Sequence, residues 1–485
     1  MANRTIIPIG DFNQGGIADS KWSGIPNSLF KMIGFDPHTT PGILKVAQKM
    51  TKNSGSTVTE FCKARVASSN GATYWGSSTS GKIWQRASNG TWTLVYTVVP
   101  TTGTAYILNM IEFQGYIYIF TENYIHRILA SGALGASQWT ANAAPNWQVF
   151  TNGDDSFHPA FELNLVLYIG DGFLVAQIGD TGVFTGDSLD INQPLRVKSL
   201  GKMGLDLLVG TYVSDNVTKT QIYRWNTYSD SFSTSDTIDE VGVNAFLEAD
   251  NFVYAQCGTA GNIYQYDGEK LYLYKKIPGT YSSTKQSTVY PNAVGSIEGQ
   301  MLFGVSNTTG NPCDMGVYRI ARNSMIYPYI LDLPYPISER SGTDFVLSNI
   351  EIGAILTSGS NIFVAWKNST VAETPTYGID MLDYSNKLSG AYFETRIAKV
   401  IRDIMTNFTK FFVAYNLLPA STAIAIAYSK NYGSYDETTE QVDTQRNIVM
   451  SDGDEAEATT LQMKVTMTAS SNDAPEIEGA GILYR

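Results

Sequence analysis

Three histidines are the side chains of this chain best suited to acid–base or metal chemistry, and they are widely separated. They are His38, His126 and His158. A Ser-His-Asp triad would have to use one of them, and nothing in the spacing marks a nucleophile or an orienting carboxylate for any of the three. His126 takes an aromatic position of a repeated strand motif, which favours a packed or hydrogen-bonded strand residue over a ligand.

Carboxylates offer a second kind of chemistry, because glycoside hydrolysis needs only two of them at a set separation. Asp171 and Asp180 lie in short turns where an exposed carboxylate could act, although Asp in such turns more often caps the backbone. The acidic segment 451–457 could offer oxygen ligands to Ca²⁺. Its spacing differs from that of a twelve-residue calcium loop, which favours a solvated acidic turn.

Known catalytic motifs are missing from the sequence. It has no Gly-x-Ser-x-Gly, no His-Glu-x-x-His, no Walker loop and no dinucleotide fingerprint. Cys62, Cys257 and Cys313 share no metal-ligand spacing and cannot all pair, which predicts synthesis in a reducing cytoplasm without a disulfide framework. We therefore predict no catalytic, cofactor-binding or metal-binding residue, no cofactor, and a protein that is not an enzyme.

The elements that would have to position any such chemistry are short repeated strands. A four-residue motif, typified by Ile-Tyr-Gln-Tyr at 263–266, recurs along the chain. It matches 83–86, 125–128, 222–225 and 317–320, and weaker copies lie at 175–178 and 379–382. Each follows a more hydrophobic strand, and the separations of about 41 to 62 residues are those of propeller repeats. When such sheets pack radially, each covers the apolar face of its neighbour. The repeats therefore predict a β-propeller of about seven blades at 61–397. Two packed sandwiches, or six blades plus a connecting sheet, are alternatives that stay open.

The two ends of the chain lack the repeat. Residues 1–60 are dense in turn formers and are too short of apolar sequence to fold alone, which predicts an extended N-terminal arm lying on its own propeller or on a neighbouring subunit. Residues 398–485 contain alternating strands such as 461–468, which predicts a C-terminal β-sandwich.

Both ends resemble virion structural proteins of tailed bacteriophages. The arm carries Gly-Gly-Ile-Ala-Asp-Ser-Lys at 15–21, Ile-Gly-Phe-Asp-Pro-His at 33–38 and Pro-Gly-Ile-Leu-Lys-Val at 41–46. In those proteins a similar arm precedes a β-propeller-like body, and Phe35 and Thr39 depart from their usual pattern. The segment 471–477 is similar to the end of many phage tail proteins. The resemblance implies a structural role in the tail or the head-to-tail nozzle or hub, with no catalytic residue to carry over.

Charge and composition limit the partners. The formal net charge of −12 and the lack of a basic run argue against a nucleic-acid-binding surface. No apolar run approaches the roughly 18 residues that would cross a bilayer, and the N-terminus has no signal-peptide pattern, so we expect no membrane anchor. The resemblance implies self-association and contacts with other tail proteins in a ring, through which DNA passes without specific binding, in a virion made in the host cytoplasm.

Two alternative functions stay open at this stage. Longer polar insertions at 212–220, 306–312 and 367–376 should project from one rim, where propellers commonly meet partners. The first alternative is therefore a receptor- or glycan-binding tail component. The second is a propeller glycosidase, which would need two facing carboxylates in a central pocket.

Overall fold

A computed structural model describes most of the chain. The described residues are 5–10, 12–18, 20–22, 27–99, 106–122, 124–130, 157–213, 219–249, 252–278, 287–306, 315–339, 349–369, 375–399, 406–437, 447–450 and 456–484. The chain divides into two compact units. The sandwich unit comprises Met1–Thr51, Gly316–Val346 and Leu382–Arg485, and the propeller unit comprises Lys52–Met315 and Leu347–Met381. The domain boundaries expected at residues 60 and 397 stay sequence predictions.

Apart from one helical turn, the described elements are all β-strands. The first elements are β1 (Thr5–Ile9), α1 (Phe12–Gly15), β2 (Leu29–Ile33), β3 (Phe35–Asp36), β4 (Leu44–Val46) and β5 (Gln48–Lys52). They are followed by β6 (Cys62–Ala67), β7 (Thr73–Ser77), β8 (Lys82–Arg86), β9 (Trp92–Thr97), β10 (Ile107–Phe113), β11 (Tyr116–Thr121), β12 (Ile125–Leu129), β13 (Ala160–Leu163), β14 (Val166–Asp171), β15 (Leu174–Ile178), β16 (Phe184–Asp190), β17 (Arg196–Met203), β18 (Asp206–Tyr212), β19 (Thr220–Trp225) and β20 (Thr234–Ile238).

The second half of the chain continues in the same style. Its strands are β21 (Val243–Ala249), β22 (Phe252–Cys257), β23 (Asn262–Tyr266), β24 (Leu271–Lys276), β25 (Val294–Ile297), β26 (Gln300–Val305), β27 (Gly316–Ala321), β28 (Ile330–Tyr335), β29 (Ile350–Ser358), β30 (Asn361–Asn368), β31 (Thr376–Lys387), β32 (Ala391–Thr395), β33 (Thr406–Tyr415), β34 (Ala423–Lys430), β35 (Tyr435–Glu437), β36 (Asn447–Met450), β37 (Ala456–Ala458), β38 (Leu461–Thr468) and β39 (Glu476–Tyr484).

The propeller unit is a closed ring of small antiparallel sheets. Its sheets run β6–β9, β10–β12, β13–β16, β17–β20 and β21–β24, and β25–β26 and β29–β31 complete the set. The first strand of each sheet contacts the first strand of the next, in the order β6, β10, β13, β17, β21, β25 and β29, and β29 contacts β6 again. Among the described residues, seven first strands thus surround one axis, and the predicted β-propeller is confirmed.

The core of the propeller unit lies between neighbouring sheets. One cluster joins Tyr74 and Ile83 of the first sheet to Ile107 and Ile119 of the second, and similar clusters follow at later joints. The last joint packs Phe363 and Ile379 against Trp75, which closes the ring. Each sheet therefore covers a face that its neighbour could not bury alone.

Glycine allows the sheets to approach each other closely. A Cβ atom at Gly76 of β7 would lie 2.7 Å from Ile107 Cγ2 of the next first strand. A Cβ atom at Gly304 of β26 would lie 2.4 Å from Ile352 Cγ2 of β29. Both distances are shorter than packed carbon atoms tolerate, so a side chain at either position would push two sheets apart.

The repeated motif forms a strand directly after a hydrophobic strand, as the sequence predicts, but the two are the third and second strands of a sheet and not the second and first. Its seven copies lie in β8, β12, β15, β19, β23, β27 and β31, and the hydrophobic segments before them form the second strands. The sequence interpretation did not identify the first strands. In β17, for example, buried Val197 and Ser199 alternate with half-buried polar residues, because one face of the strand looks onto the axis.

The sandwich unit consists of two packed sheets. One has the order β3-β4-β39-β33-β36, with β1 on β39 and β37 on β33. The other contains β28-β2-β32-β38-β34-β35, and β27 pairs with β28. Phe411 of the first sheet stacks on Tyr428 of the second at 5.0 Å between ring centroids, and Phe35 lies 6.0 Å from Phe393. The predicted C-terminal sandwich therefore exists.

The N-terminal arm is part of this sandwich. β2 pairs antiparallel with β32 and parallel with β28, and β1 pairs antiparallel with β39. Leu29, Met32 and Phe35 are fully buried. The sequence interpretation placed the arm on its own propeller or on a neighbouring subunit. In the structure β2 pairs with β28 and β32, which lie within the range 61–397 predicted for the propeller, and β1 pairs with β39 of the predicted C-terminal sandwich. These strands leave backbone edges that β1 and β2 complete.

Candidate functional site

Polar side chains converge at the axis of the propeller unit, in what we call the axial pocket. Its lining comes from first strands or from the residues just before them, in five different sheets. The lining residues are Lys63, Leu108, Asn109, Phe157, His158, Pro159, Lys198, Tyr290, Pro291 and Asn292. The space that they border is about 500 Å³ when the open solvent at its mouth is included, and only a small part of it is enclosed by protein.

Two lysines are the formal charges of this lining, and aromatic rings hold both. Lys63 Nζ lies 4.3 Å from the ring centroid of Tyr290. Lys198 Nζ lies 4.8 Å from the centroid of Phe157 and 5.8 Å from that of Tyr212. The negative face of each ring attracts the ammonium group, which fixes its position without neutralising its charge.

Glu351 of β29 is a carboxylate that interacts with both Tyr290 and Lys63. It accepts hydrogen bonds from Lys367 Nζ and from the Tyr290 hydroxyl, both at 2.7 Å. Burial alone would raise the pKa of Glu351, but these two hydrogen bonds and the charges of Lys367 and Lys63 lower it. Glu351 is therefore ionised at neutral pH and orients the Tyr290 ring on which Lys63 rests.

Two asparagines hold the first strands around the pocket. Asn292 Nδ2 donates to the carbonyl oxygen of Lys63 at 2.9 Å and, more weakly, to that of Leu108 at 3.4 Å. Asn109 Nδ2 donates to the His158 carbonyl at 3.1 Å. Arg65, on the same face of β6 as Lys63, donates from Nε to the carbonyl of Ile355 at 2.6 Å. These side-chain-to-backbone bonds fix the walls of the pocket.

His158 and Asp171 form a buried pair beside the axial pocket. His158 Nδ1 lies 2.9 Å from the Gly170 carbonyl and 3.8 Å from Asp171 Oδ1. Burial lowers the pKa of His158 to about 4, so the imidazole is neutral at pH 7. Asp171 was expected in a turn where it could be exposed; it is instead fully buried at the end of β14, because the strand continues to that residue.

The other residues singled out from the sequence lie apart from this pocket. His126 is buried in β12, where burial lowers its pKa, and Asp180 is exposed in a turn. Cys62 and Cys257 are buried free thiols whose pKa values burial raises. Cys313, residues 451–455 of the acidic segment and the middle of all three rim insertions lie outside the described residues.

The sandwich unit contains a different polar site, centred on Arg319 of β27. Its guanidinium contacts Asp332 from Nε at 3.2 Å and from Nη2 at 2.5 Å, and Nη2 also reaches Asp36 Oδ1 at 3.0 Å. His38 Nε2 lies 3.8 Å from Asp332 Oδ2. Arg319 and Asp332 are buried, so this is a charge cluster enclosed by protein.

The cluster stabilises its own ionised state. Burial would lower the pKa of Arg319, but Asp332 and Asp36 raise it above its ordinary value. Burial would likewise raise the pKa of Asp36, but Arg319 and hydrogen bonds from Thr39 and His38 lower it to about 2. Burial raises the pKa of Tyr335, whose ring lies beside Arg319, to about 12.

A cleft of about 790 Å³, counted in the same way as the axial pocket, lies in the same unit. It is bordered by residues of the arm and of the C-terminal sheet, including Asp36, Lys45, Asn416 and Glu476. Lys45 Nζ pairs with Glu476 Oε1 at 2.9 Å, and Asn416 Nδ2 donates to Glu476 Oε2 at 3.1 Å. Its charged groups are thus largely engaged with each other.

The described residues offer neither a metal-binding cluster nor a membrane-spanning helix. No cluster of three or more His, Cys, Asp or Glu side chains is placed to bind a metal ion in the part of the chain that the structure covers. Within the same residues, no helix has the length and apolarity needed to span a membrane.

Comparison with known proteins gives only distant structural similarity. No family model matches the sequence, and no curated protein matches it. The extracellular domain of a one component system from B. thetaiotaomicron is similar at 14% identity with a TM-score of 0.47, over 84% of this chain and 48% of that one. Virginiamycin B lyase from Staphylococcus aureus is similar at 14% identity with a TM-score of 0.46, over 69% of this chain and 99% of the lyase. The WD40 repeats of RRP9 are similar at 9% identity with a TM-score of 0.45, over 69% of this chain and 99% of that one.

These similar structures differ in what they do. Some are enzymes, such as the lyase, and others are not, so the comparison assigns neither class to this chain. The chain matches only about half of the length of the B. thetaiotaomicron domain. At such low identity, no residue role transfers to the axial pocket.

Sequence reasoning singled out His158 of the axial pocket but missed its two lysines. Lys63 and Lys198 carry no motif, and they lie 135 residues apart in the numbering. A signal does exist: each lies in a segment of alternating polarity directly before a predicted hydrophobic strand. Reading those segments as first strands would have brought both lysines to the axis.

Proposed function

We propose that this protein is a virion structural protein of a tailed bacteriophage, part of the tail or of the head-to-tail nozzle or hub. It would assemble with copies of itself and with other tail proteins into a ring around the DNA path. The resemblance of segments 15–46 and 471–477 to such proteins motivates the proposal, and the protein would act mechanically and not as an enzyme.

The observation that carries the proposal is that these two segments fold together. β4 of the arm pairs with β39 near the C-terminus, in the register Leu44 opposite Ile477 and Lys45 opposite Glu476. The Lys45–Glu476 ion pair lies on this join. Two separate stretches with one resemblance therefore form one structural element, which favours a shared ancestry of that element over two chance matches.

Exposed apolar side chains offer contact points for assembly. Met325 and Ile326, in the turn between β27 and β28, are 85% and 84% exposed. Large apolar side chains that are this exposed in a fixed turn are common at protein–protein contacts, where their burial stabilises the complex. We expect this turn to be covered in the assembled ring.

The test is the mass of the purified full chain in solution, measured by light scattering, with electron microscopy of any oligomer. We expect a defined oligomer with a central opening, and we expect the double variant Met325→Asp, Ile326→Asp to dissociate it. Leu205→Asp, at an equally exposed turn of the propeller unit, is the matched control and should leave the oligomer intact. A monomer at every concentration would contradict a ring formed by self-association.

Deleting the arm would be a poor substitute for these variants. Residues 29–36 contribute buried strands to both sheets of the sandwich unit, so their removal would expose its core. Loss of the oligomer after such a deletion would report unfolding as readily as a lost contact between subunits.

A second candidate function is a receptor- or glycan-binding tail component. The axial pocket favours it, because its lysines and its open mouth suit an external ligand. No observation favours the glycosidase hypothesis, since the described lining of that pocket includes neither Asp nor Glu.

A further inference from the structure

In each four-stranded sheet described in the propeller unit, two turns lie at the same end of the sheet. One joins the first strand to the second and the other joins the third to the fourth, since neighbouring antiparallel strands run in opposite directions. The sheets surround one axis in the same strand order, so these turns of adjoining sheets lie on one face of the unit.

Four side chains in these turns form what we call the turn face. Leu165 and Val183 lie in the two turns of the sheet β13–β16, and Leu205 and Tyr228 lie in those of the adjoining sheet β17–β20. All four are between 62% and 87% exposed. Single exposed apolar residues are ordinary, but several on one face of adjoining sheets indicate contact with another molecule.

The backbone at Leu165 is further evidence that its exposure serves a contact. Three turns between first and second strands have the same two-residue form, with both residues at positive φ. Their second residue is Gly115 in one sheet (φ 78°) and Gly299 in another (φ 75°), but Leu165 in the third (φ 65°). Glycine adopts this conformation without strain, whereas leucine does not. Folding alone therefore favours glycine at this position.

The turn that carries Tyr228 is rigid. Asn226 Oδ1 accepts hydrogen bonds from the backbone N–H groups of Tyr228 at 3.0 Å and of Ser229 at 3.2 Å. Trp225 Nε1, in the preceding strand, donates to the Ser229 carbonyl at 2.7 Å. A turn that is already ordered loses little conformational entropy on binding, so it presents the tyrosine ring to a partner at low cost.

The charged side chains beside the turn face determine what kind of partner fits it. Glu162, Asp180 and Asp230 are exposed acids in these turns or next to them. The nearby cations Lys202 and Arg224 each pair with a carboxylate. The face thus combines apolar side chains with negative charge, which is complementary to a surface that combines apolar side chains with Lys and Arg.

Two other kinds of partner have the wrong charge. A second copy of this chain would present the same acidic face, and the chain has a formal charge of −12, so like charges would repel. Anionic lipid headgroups attract basic segments, and the turn face is acidic.

We propose that the turn face binds a different protein through a basic segment that carries apolar side chains. Leu165, Leu205 and Tyr228 contact the apolar side chains of that segment, and the exposed acids contact its Lys and Arg. This contact does not depend on the proposed place in a virion, and it is separate from self-association, in which Leu205 takes no part.

The experiment measures binding of three labelled peptides to the full chain by fluorescence anisotropy. The first is an amphipathic peptide of Lys and Leu, the second replaces Leu with Ser, and the third replaces Lys with Glu. We expect the Lys–Leu peptide to bind at least about tenfold more tightly than either of the others, which corresponds to about 1.4 kcal/mol.

Variants assign the binding to the turn face. Leu165→Gly removes the side chain and relieves the backbone strain, so its melting temperature should be unchanged or higher while the Lys–Leu peptide binds about fivefold or more weakly. Tyr228→Ser should weaken binding by a similar factor. Val99→Ser is the matched control, because Val99 is 80% exposed but follows the fourth strand β9 and so lies at the other end of the sheets. It should bind like the wild type.

Several results would overturn the proposal. Equal binding of the Lys–Leu and Lys–Ser peptides would show attraction by charge alone, and unchanged affinity in both Leu165→Gly and Tyr228→Ser would place the binding elsewhere. Binding of the wild type to phosphatidylcholine vesicles that Leu165→Gly abolishes would assign the face to a lipid surface. Dissociation of an oligomer by Tyr228→Ser, measured by light scattering, would assign it to a second copy.

Discussion

Arg319 in the sandwich unit and the lysines of the axial pocket are cations with opposite surroundings. Arg319 is buried and contacts two carboxylates, Asp332 and Asp36, at hydrogen-bonding distance. Lys63 and Lys198 are half-buried, rest on aromatic rings and border an open space whose described lining contains no carboxylate. The first cation is held by direct ion pairs, and the two lysines are held by aromatic rings.

This difference separates cations held by buried carboxylates from cations held by rings. A buried cation that is fully paired contributes to the fold chiefly because breaking the pair is costly. A half-buried cation over a ring gains a smaller stabilisation from that contact. Substitution of the first should therefore cost more stability than substitution of the second.

The largest expected effect follows removal of the Arg319 charge. Arg319→Met leaves the buried carboxylates of Asp332 and Asp36 without their cation, which should lower the free energy of unfolding by about 3–5 kcal/mol. Chemical denaturation with one probe in each of the two units measures this change and that of the control. Arg224→Met is the matched control, because Arg224 pairs with Asp206 at 2.5 Å but both side chains are partly exposed; we expect it to cost about 1 kcal/mol or less. Equal effects of the two substitutions would contradict the distinction.

A smaller effect should appear as a pH dependence of the same cluster. The pKa of Asp36 is lowered from 3.8 to about 2 by Arg319 and by hydrogen bonds that outweigh burial. A carboxylate with a lowered pKa stabilises the folded state fully above its unfolded pKa, and this stabilisation is lost as the pH falls towards the folded pKa. Asp36→Asn should therefore lower stability by about 2 kcal/mol at pH 7 and flatten its decline between about pH 4 and pH 2. Parallel stability–pH curves for the two proteins would contradict this assignment.

The Arg319 cluster also shows where sequence reasoning ends. Asp36 and Arg319 are separated by 283 positions, and nothing local predicts that they meet. The second and third strands of the sheets were predictable, because motifs such as 222–225 repeat an apolar and aromatic pattern at regular separations. The first strands were not identified, because residues such as Lys63 and Lys198 face the axis and interrupt the hydrophobic signal. The pairing of the arm with β32 and β39 depends on edges that form only in the folded chain.

The smallest expected effect is a difference in stability between variants of two carboxylates that occupy matching positions in the propeller unit. Glu60 lies just before first strand β6 and contacts Lys82, the first residue of β8, together with the hydroxyls of Ser77 and Ser80. Glu240 lies just before first strand β21 and contacts Asn262, the first residue of β23, and Tyr264. Burial acts to raise the pKa of both carboxylates. For Glu60, Lys82 and the two hydroxyls outweigh burial, and its pKa is lowered. For Glu240, burial outweighs the hydrogen bonds, and its pKa is raised.

The two shifts predict opposite responses to neutralisation. The ionised form of Glu60 stabilises the fold above its unfolded pKa and is lost as the pH falls, so Glu60→Gln should cost about 1 kcal/mol at pH 7. The ionised form of Glu240 is disfavoured in the fold, and its contribution to stability declines as the pH rises through its raised pKa, so Glu240→Gln should leave stability at pH 7 unchanged or slightly higher. Denaturation of both variants and the wild type at pH 7 measures the difference. A loss of stability in Glu240→Gln equal to that in Glu60→Gln would mean that the amide of Asn262 stabilises a carboxylate as well as Lys82 does, and direct ion pairing would then not be what distinguishes the two sites.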